Sequence, residues 1–142
     1  PSTLRDPFHA RYAYRYNYPL DAERMHEGAQ RFVGTHDFAS VRSQGTPVKS
    51  TVRTIFWCDV DKIDDLIRIR VCGDGFLYNM VRAISGTLVY VGGGKLAPEQ
   101  VRDVLLACDR EQAGPTLPAC GLFMNRLWYD DTPELDRFRL SE

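Results

Sequence analysis

The segment from Phe76 to Leu88 constrains this chain more than any other, because it is the longest mainly apolar run in the sequence and carries a single arginine, Arg82. Gly73-Asp74-Gly75 precedes it and Gly92-Gly93-Gly94 follows it. Phe76, Met80, Ile84, Thr87, Leu88 and Val91 recur at three- and four-residue steps, which predicts a helix with that stripe facing a core. Tyr78, Asn79, Arg82 and Ser85 fall on its flanks. A guanidinium at the border of a core is costly unless a carboxylate or phosphate meets it. Arg82 therefore either ties the helix to its neighbours through a salt bridge or serves an anion from outside.

Such a helix needs a partner surface, and a chain of 142 residues, 44% hydrophobic and 11% aromatic, has enough apolar material for one core. No run of about 18 uncharged apolar residues occurs, and Pro1 to Arg15 lacks the apolar heart of a signal peptide. A cytoplasmic unit with no membrane partner is expected. A chain starting on Pro1 is expected to be an excised fragment or a processed chain. Cys58, Cys72, Cys108 and Cys120 are scattered without a Cys-x-x-Cys pair, so reduced thiols are expected. His9 and His26 have no metal-ligand spacing to His36-Asp37, and no metal site is predicted.

Net charge is −1, which does not favour a nucleic-acid surface, but its distribution is uneven. Phe38 to Cys58 holds Arg42, Lys49 and Arg53 and no acid, and Leu66 to Lys95 holds four bases against Asp74 alone, so each block is +3. From Leu96 onward nine acids face five bases. The acidic end masks a basic middle, which is either a solvated surface or an anion-binding one.

The remaining elements follow from local chemistry. Pro1 to Tyr18 reads as an irregular or extended lead-in, whose Arg11, Tyr12, Tyr14, Arg15, Tyr16 and Tyr18 either stack on bases or pack as an aromatic strand. Asp21 caps a helix of about three turns with Ala22, Met25, Ala29, Phe32 and Val33 on one face, stopped by Gly34. Ser43 to Pro47 is a loop. Thr51 to Val60 and Leu66 to Cys72 form a hairpin with a five-residue loop, Ile67, Ile69 and Val71 facing the core and Arg68 and Arg70 facing either water, the default, or something anionic. Pro98 opens a helix with Val101, Val104, Leu105 and Cys108 inward, and Gly121 to Tyr129 is a last strand. The order predicts an α+β domain, a mainly antiparallel sheet with helices packed on one face, divided as lead-in 1–19, domain 20–129 and polar tail 130–142.

With these residues in view the chain resembles the C-terminal half of the bacterial tRNA pseudouridine synthase A family. The matching pieces run in order: Asp6-Pro7-Phe8, Pro19 to Met25, Gly34-Thr35-His36-Asp37-Phe38 and Thr51-Val52-Arg53-Thr54-Ile55. The most specific are Phe76-Leu77-Tyr78-Asn79-Met80-Val81-Arg82, Gly86-Thr87-Leu88, Val91-Gly92, and Ala113-Gly114-Pro115-Thr116 through Gly121-Leu122. Ala39, Val41 and Ala97 depart from the family's usual Ser, Phe and Ser; a poor cap at Ala97 costs about 1 kcal/mol.

The resemblance implies a cofactor-free isomerase, homodimeric when whole, that converts uridine to pseudouridine in the tRNA anticodon stem-loop, around positions 38 to 40, on a base turned out of its stack. It implies that Arg82 forms an ion pair with a nucleophilic aspartate, and that Ser40, Arg42, Lys49, Arg53 and Asn79 are candidate RNA contacts. The family's Arg-Thr-Asp-x-Gly motif, which holds that aspartate, is absent from these 142 residues, so the chain by itself is expected to be inactive. Tyr12-Ala13-Tyr14 follows Asp6-Pro7-Phe8 where the family's Tyr-x-Tyr precedes it, and is not its counterpart. The alternative is a non-catalytic α+β RNA-binding module.

Overall fold

The computed structural model describes residues 7–15, 19–43 and 48–126. Five strands, β1 (Phe8–Arg15), β2 (Gly34–Asp37), β3 (Val52–Ile63), β4 (Leu66–Gly73) and β5 (Leu122–Arg126), form one sheet in the order β2-β3-β4-β1-β5. Every described pairing is antiparallel. Helices α1 (Ala22–Ala29), α2 (Met80–Gly92) and α3 (Gln100–Ala107) pack with it around one core, giving an α+β fold.

The segment expected as a lead-in contains β1, which pairs with β4 on one side and β5 on the other. Ala10 and Tyr12 point into the core, so its true signal is a period of two. Arg11, between them and itself buried, masked it. Tyr16 and Tyr18 lie outside the described residues.

The β3–β4 hairpin is tighter than expected. Both strands run on until Asp64 and Asp65 make the turn, with Asp64 in the left-handed region at φ 54° that aspartate tolerates. Asp61 is thereby a strand residue opposite Arg68, and Asp59 stands opposite Arg70. Arg70 meets Asp59 through two bonds of 3.0 Å, and Arg68 grips both carboxylate oxygens of Asp61. The expected wet face of β4 is thus a ladder of cross-strand ion pairs, and Arg68 is buried within it. A bulge between Ile55 and Trp57 resets the alternation, which is why Ile55 and Cys58 are both buried although three residues apart.

On α2 the expected stripe is the core: Met80, Ile84, Leu88 and Val91 are fully buried. The helix begins four residues later than its apolar run, because Asn79 takes up φ 60°, ψ 14° and ends any helical path from Phe76. Asp21 caps α1 by accepting from the Glu23 and Arg24 amides at 3.1 Å. Before α3, Gln100 Oε1 accepts from the Ala97 amide at 2.7 Å, supplying half of a capping box that Ala97 cannot complete. Pro98 lies in the turn ahead of α3, and Cys108, expected inward, is exposed in a left-handed conformation beyond its end. The four-residue β2 was not foreseen. Gly121 belongs to a 3-10 turn, Ala119–Gly121, before β5, and Leu127 to Tyr129 lie outside the described residues.

Candidate active site

The site is built where the segment 113–118 lies against the first half of α2. A side-chain carbon on Gly86 would stand 1.7 Å from the Pro115 carbonyl oxygen, and one on Gly114 would stand 2.4 Å from the Gly86 oxygen. Two backbones touch here, which glycine alone permits. Around that contact the Gly114 amide donates to Thr87 Oγ1 at 2.9 Å, and Arg110 donates to the Gly114 oxygen at 2.7 Å and to Thr116 Oγ1 at 2.8 Å. Tyr12 donates its phenol to the Pro118 oxygen. Burial raises the Tyr12 pKa, nearby Cys120 adds to the shift and Arg82 opposes it, so the phenol remains a proton donor.

Arg82 is the third residue of α2 and half-buried. Its amide carbonyl accepts from the Leu117 amide at 3.2 Å, and its Nε donates to the Leu117 oxygen at 2.6 Å. Nη1 donates to Asn79 Oδ1 at 2.8 Å. Both side-chain acceptors are neutral, and no carboxylate pairs with Arg82 among the described residues. Of the five N–H donors of a guanidinium, two are used among the described residues, which leaves three. A cation in the first turn of a helix also works against the macrodipole, whose positive end already favours an anion there. Arg82 lines a cleft of about 360 Å³ with Phe76, Tyr78, Leu122 and Met124. The wall is largely apolar, and a negative group seated there would be drawn by both the guanidinium and the helix end.

Of the other expected site residues, Asn79 is brought directly to Arg82, and its Nδ2 donates to Ser43 Oγ at 3.3 Å. The Ser43 amide also donates to the Tyr78 oxygen at 3.2 Å, so the segment carrying half-buried Arg42 docks beside the arginine. Arg53 lies across the 74–79 connection, its Nε 3.7 Å from where a Gly75 side chain would start, and donates to the Ser50 and Val52 oxygens at 2.8 Å. Lys49 is exposed. Ser40 is a correction: it is fully buried in the 3-10 turn Ala39–Val41, and its Oγ lacks a hydrogen-bond partner among the described residues, so RNA does not reach it in this packing. Leu117 and Ser43 had not been singled out. Leu117 acts through a backbone carbonyl, which leaves no mark in sequence, whereas Ser43 was legible as one residue of a polar loop.

His36 Nε2 bonds to the Val33 oxygen at 2.8 Å, and Asp37 accepts from the Ala39 amide at 3.1 Å and from Thr51 Oγ1 at 2.6 Å. The pair thus holds local backbone. Among the described residues no group of three or more His, Cys, Asp or Glu is placed to hold a metal, and no helix is long and apolar enough to cross a membrane.

A family profile described as tRNA pseudouridine synthase matches residues 29–130, which include Arg82, Asn79, Ser43 and Leu117. The chain belongs to the tRNA pseudouridine synthase family. Among curated relatives, tRNA pseudouridine synthase A of Brevibacillus brevis is 49% identical over 126 residues, covering 89% of this chain and 52% of the relative. The enzyme of that name from Bacillus subtilis is 44% identical over 126 residues, 89% of this chain and 51% of the relative. That from Thermoanaerobacter sp. is 42% identical over 118 residues, 83% of this chain and 48% of the relative. The chain therefore spans about half the length of the curated relatives it matches. The Gly86 and Gly114 motifs, far apart in sequence, are the two sides of one backbone contact beside the residues that hold Arg82.

Proposed function

We propose that this chain is the C-terminal half of a tRNA pseudouridine synthase A, and that the whole protein, a cytoplasmic homodimer, isomerises uridine to pseudouridine in the anticodon stem-loop, around positions 38 to 40, on a flipped base. One observation carries the reading: Arg82 is held by two neutral acceptors at the wall of a cleft, with three donors left and no carboxylate among the described residues. The partner that answers this geometry is the aspartate nucleophile of the family, supplied by a part of the protein outside these 142 residues. A carboxylate beside a fixed guanidinium stays ionised, as a nucleophile must. The guanidinium also orients it by charge-assisted hydrogen bonds. Arg42, Lys49 and Arg53, on the segments flanking the site, serve as phosphate contacts that set the register of the RNA without reading its sequence.

The test is Arg82→Ala in the full-length protein, read by single-turnover pseudouridine formation on an anticodon stem-loop together with RNA affinity. Turnover is expected to vanish while binding and folding persist. Near-normal turnover would return Arg82 to a structural role, and RNA binding by a wild-type full-length protein that forms no pseudouridine would favour a binding module.

A further inference from the structure

Asn79 departs from the usual role of its residue type at this position. Asparagine is among the best helix N-caps, yet here, at the N-cap of α2, its side chain caps nothing. It sits instead at φ 60°, the left-handed conformation that asparagine, like aspartate and glycine, tolerates. A forgone cap, with the carboxamide turned to two other partners in a cleft wall, is the observation from which a functional role is argued. The carboxamide is spent elsewhere: Oδ1 accepts from Arg82 Nη1 at 2.8 Å and Nδ2 donates to Ser43 Oγ at 3.3 Å. Its orientation is not arbitrary. A guanidinium has no acceptor, so the oxygen must face Arg82, which turns the amide nitrogen to Ser43.

The left-handed backbone is what allows both contacts. It ends the 76–79 connection and aims the side chain along the first turn of α2 instead of back onto the helix amides. Ser43 is fixed a second time by its amide on the Tyr78 oxygen, so it is latched to two adjacent residues, Tyr78 and Asn79, the second of which holds the arginine.

We propose that Asn79 is a positioning residue: it sets the Arg82 guanidinium for its carboxylate partner and links that setting to Ser43, so that the 42–43 segment and the arginine are organised as one unit. Its task is therefore orientation, in place of the RNA contact expected from sequence. The inference rests on the reading of Arg82 as half of a catalytic ion pair. Misplacing a reacting group by about 1 Å costs on the order of 10²-fold in rate, which sets the scale of the effect.

Asn79→Gly in the full-length enzyme is the decisive variant, because glycine adopts φ 60° without strain and the backbone is kept while the amide is deleted. Single-turnover rate is expected to fall by about 10²-fold with RNA affinity within about twofold of wild type and an unchanged unfolding midpoint. Ser43→Ala is expected to slow turnover by about tenfold and to add nothing in the Asn79→Gly background. A wild-type rate for Asn79→Gly alongside an inactive Arg82→Ala would overturn the positioning role alone. So would weakened RNA affinity at an unchanged rate, which would make Asn79 an RNA contact. Full additivity of the two losses would sever Ser43 from the unit, and an active Arg82→Ala would remove the foundation of both readings.

Discussion

Arg82 and Leu117 hold each other twice: the Leu117 amide donates to the Arg82 carbonyl, and the Arg82 Nε donates back to the Leu117 carbonyl. The side chain is thus oriented from a segment that is itself fixed to the backbone of the same residue. Nη1 then meets Asn79. What remains available is the outer part of the guanidinium, in one orientation, at the edge of the cleft.

This geometry predicts that charge at position 82 is not enough. Arg82→Lys keeps the positive charge, but a lysine ammonium has three donors on a flexible stem and no planar fork. It cannot bond to Leu117 and Asn79 and still present an oriented pair of donors to a carboxylate. In the full-length enzyme the lysine variant is expected to bind RNA normally and to lose at least about 10²-fold in single-turnover rate. A rate within a few fold of wild type would show that a point charge suffices.

The Gly86 contact predicts a stability effect without any change of charge. The clash of a Gly86→Ala methyl is with the Pro115 carbonyl, which is backbone and cannot rotate away, and both sides of the contact are pinned. Gly86→Ala is expected to destabilise by about 3 kcal/mol or more, at the upper end of overpacking effects. Gly28→Ala is the control, since its methyl meets flexible side chains of Leu88, Val101 and Val91 at 3.3 to 3.5 Å and alanine favours the helix. It is expected to fall within about 1 kcal/mol of wild type. Urea denaturation of both variants decides it.

How much of this was legible in the sequence depended on whether the deciding partner was near or far. The stripe Met80, Ile84, Leu88 and Val91 was legible because helical period and burial are the same statement. The start of α2 was not, because Asn79 is held by Ser43, 36 residues away. Arg68 and Arg70 read as wet until the register put Asp61 and Asp59 opposite them. β1 was legible only as an extended or aromatic segment, because Arg11 and Arg15 interrupt its apolar positions, and β2 was hidden by its length of four residues. Arg82 was marked as a candidate by its apolar surroundings, whereas its neutral holder, the Leu117 carbonyl, carries no side-chain signature.

Two buried groups on the other face of the sheet predict how stability changes with pH. His9 is buried with Nε2 3.3 Å from Cys72 Sγ, and its Nδ1 lacks a hydrogen-bond partner among the described residues. Burial holds His9 below the ordinary imidazole range and pushes the Cys72 thiol up to about 12. Below about pH 6.5 the unfolded chain takes up a proton that folded His9 resists, so stability falls as pH falls. Above about pH 8.5 the unfolded thiol releases a proton that folded Cys72 retains, so stability falls as pH rises. Buried Cys58, whose thiol burial also pushes up, adds a second proton to the alkaline limb, and each proton contributes at most about 1.4 kcal/mol per pH unit. His9→Gln should flatten the acid limb, and Cys72→Ala should reduce the alkaline slope while leaving the share of Cys58, in urea titrations across pH. Unchanged slopes would assign the limbs to other groups.

Ser40 and Lys49 separate a buried candidate from an exposed one. Lys49 is exposed on the strand-entry segment before β3, and a phosphate contact there is worth counterion release without sequence preference. Lys49→Ala in the full-length protein is expected to weaken RNA binding uniformly across sequences and to flatten the logarithmic salt dependence by about one unit. Ser40 is inaccessible, and its unpartnered hydroxyl costs desolvation without return. Ser40→Ala should leave affinity and salt slope unchanged and stabilise the fold by about 1 kcal/mol. Salt-dependent filter binding together with urea denaturation measures both. An affinity loss for Ser40→Ala would mean that the 39–41 turn opens when RNA binds, and an unchanged slope for Lys49→Ala would place the phosphates elsewhere.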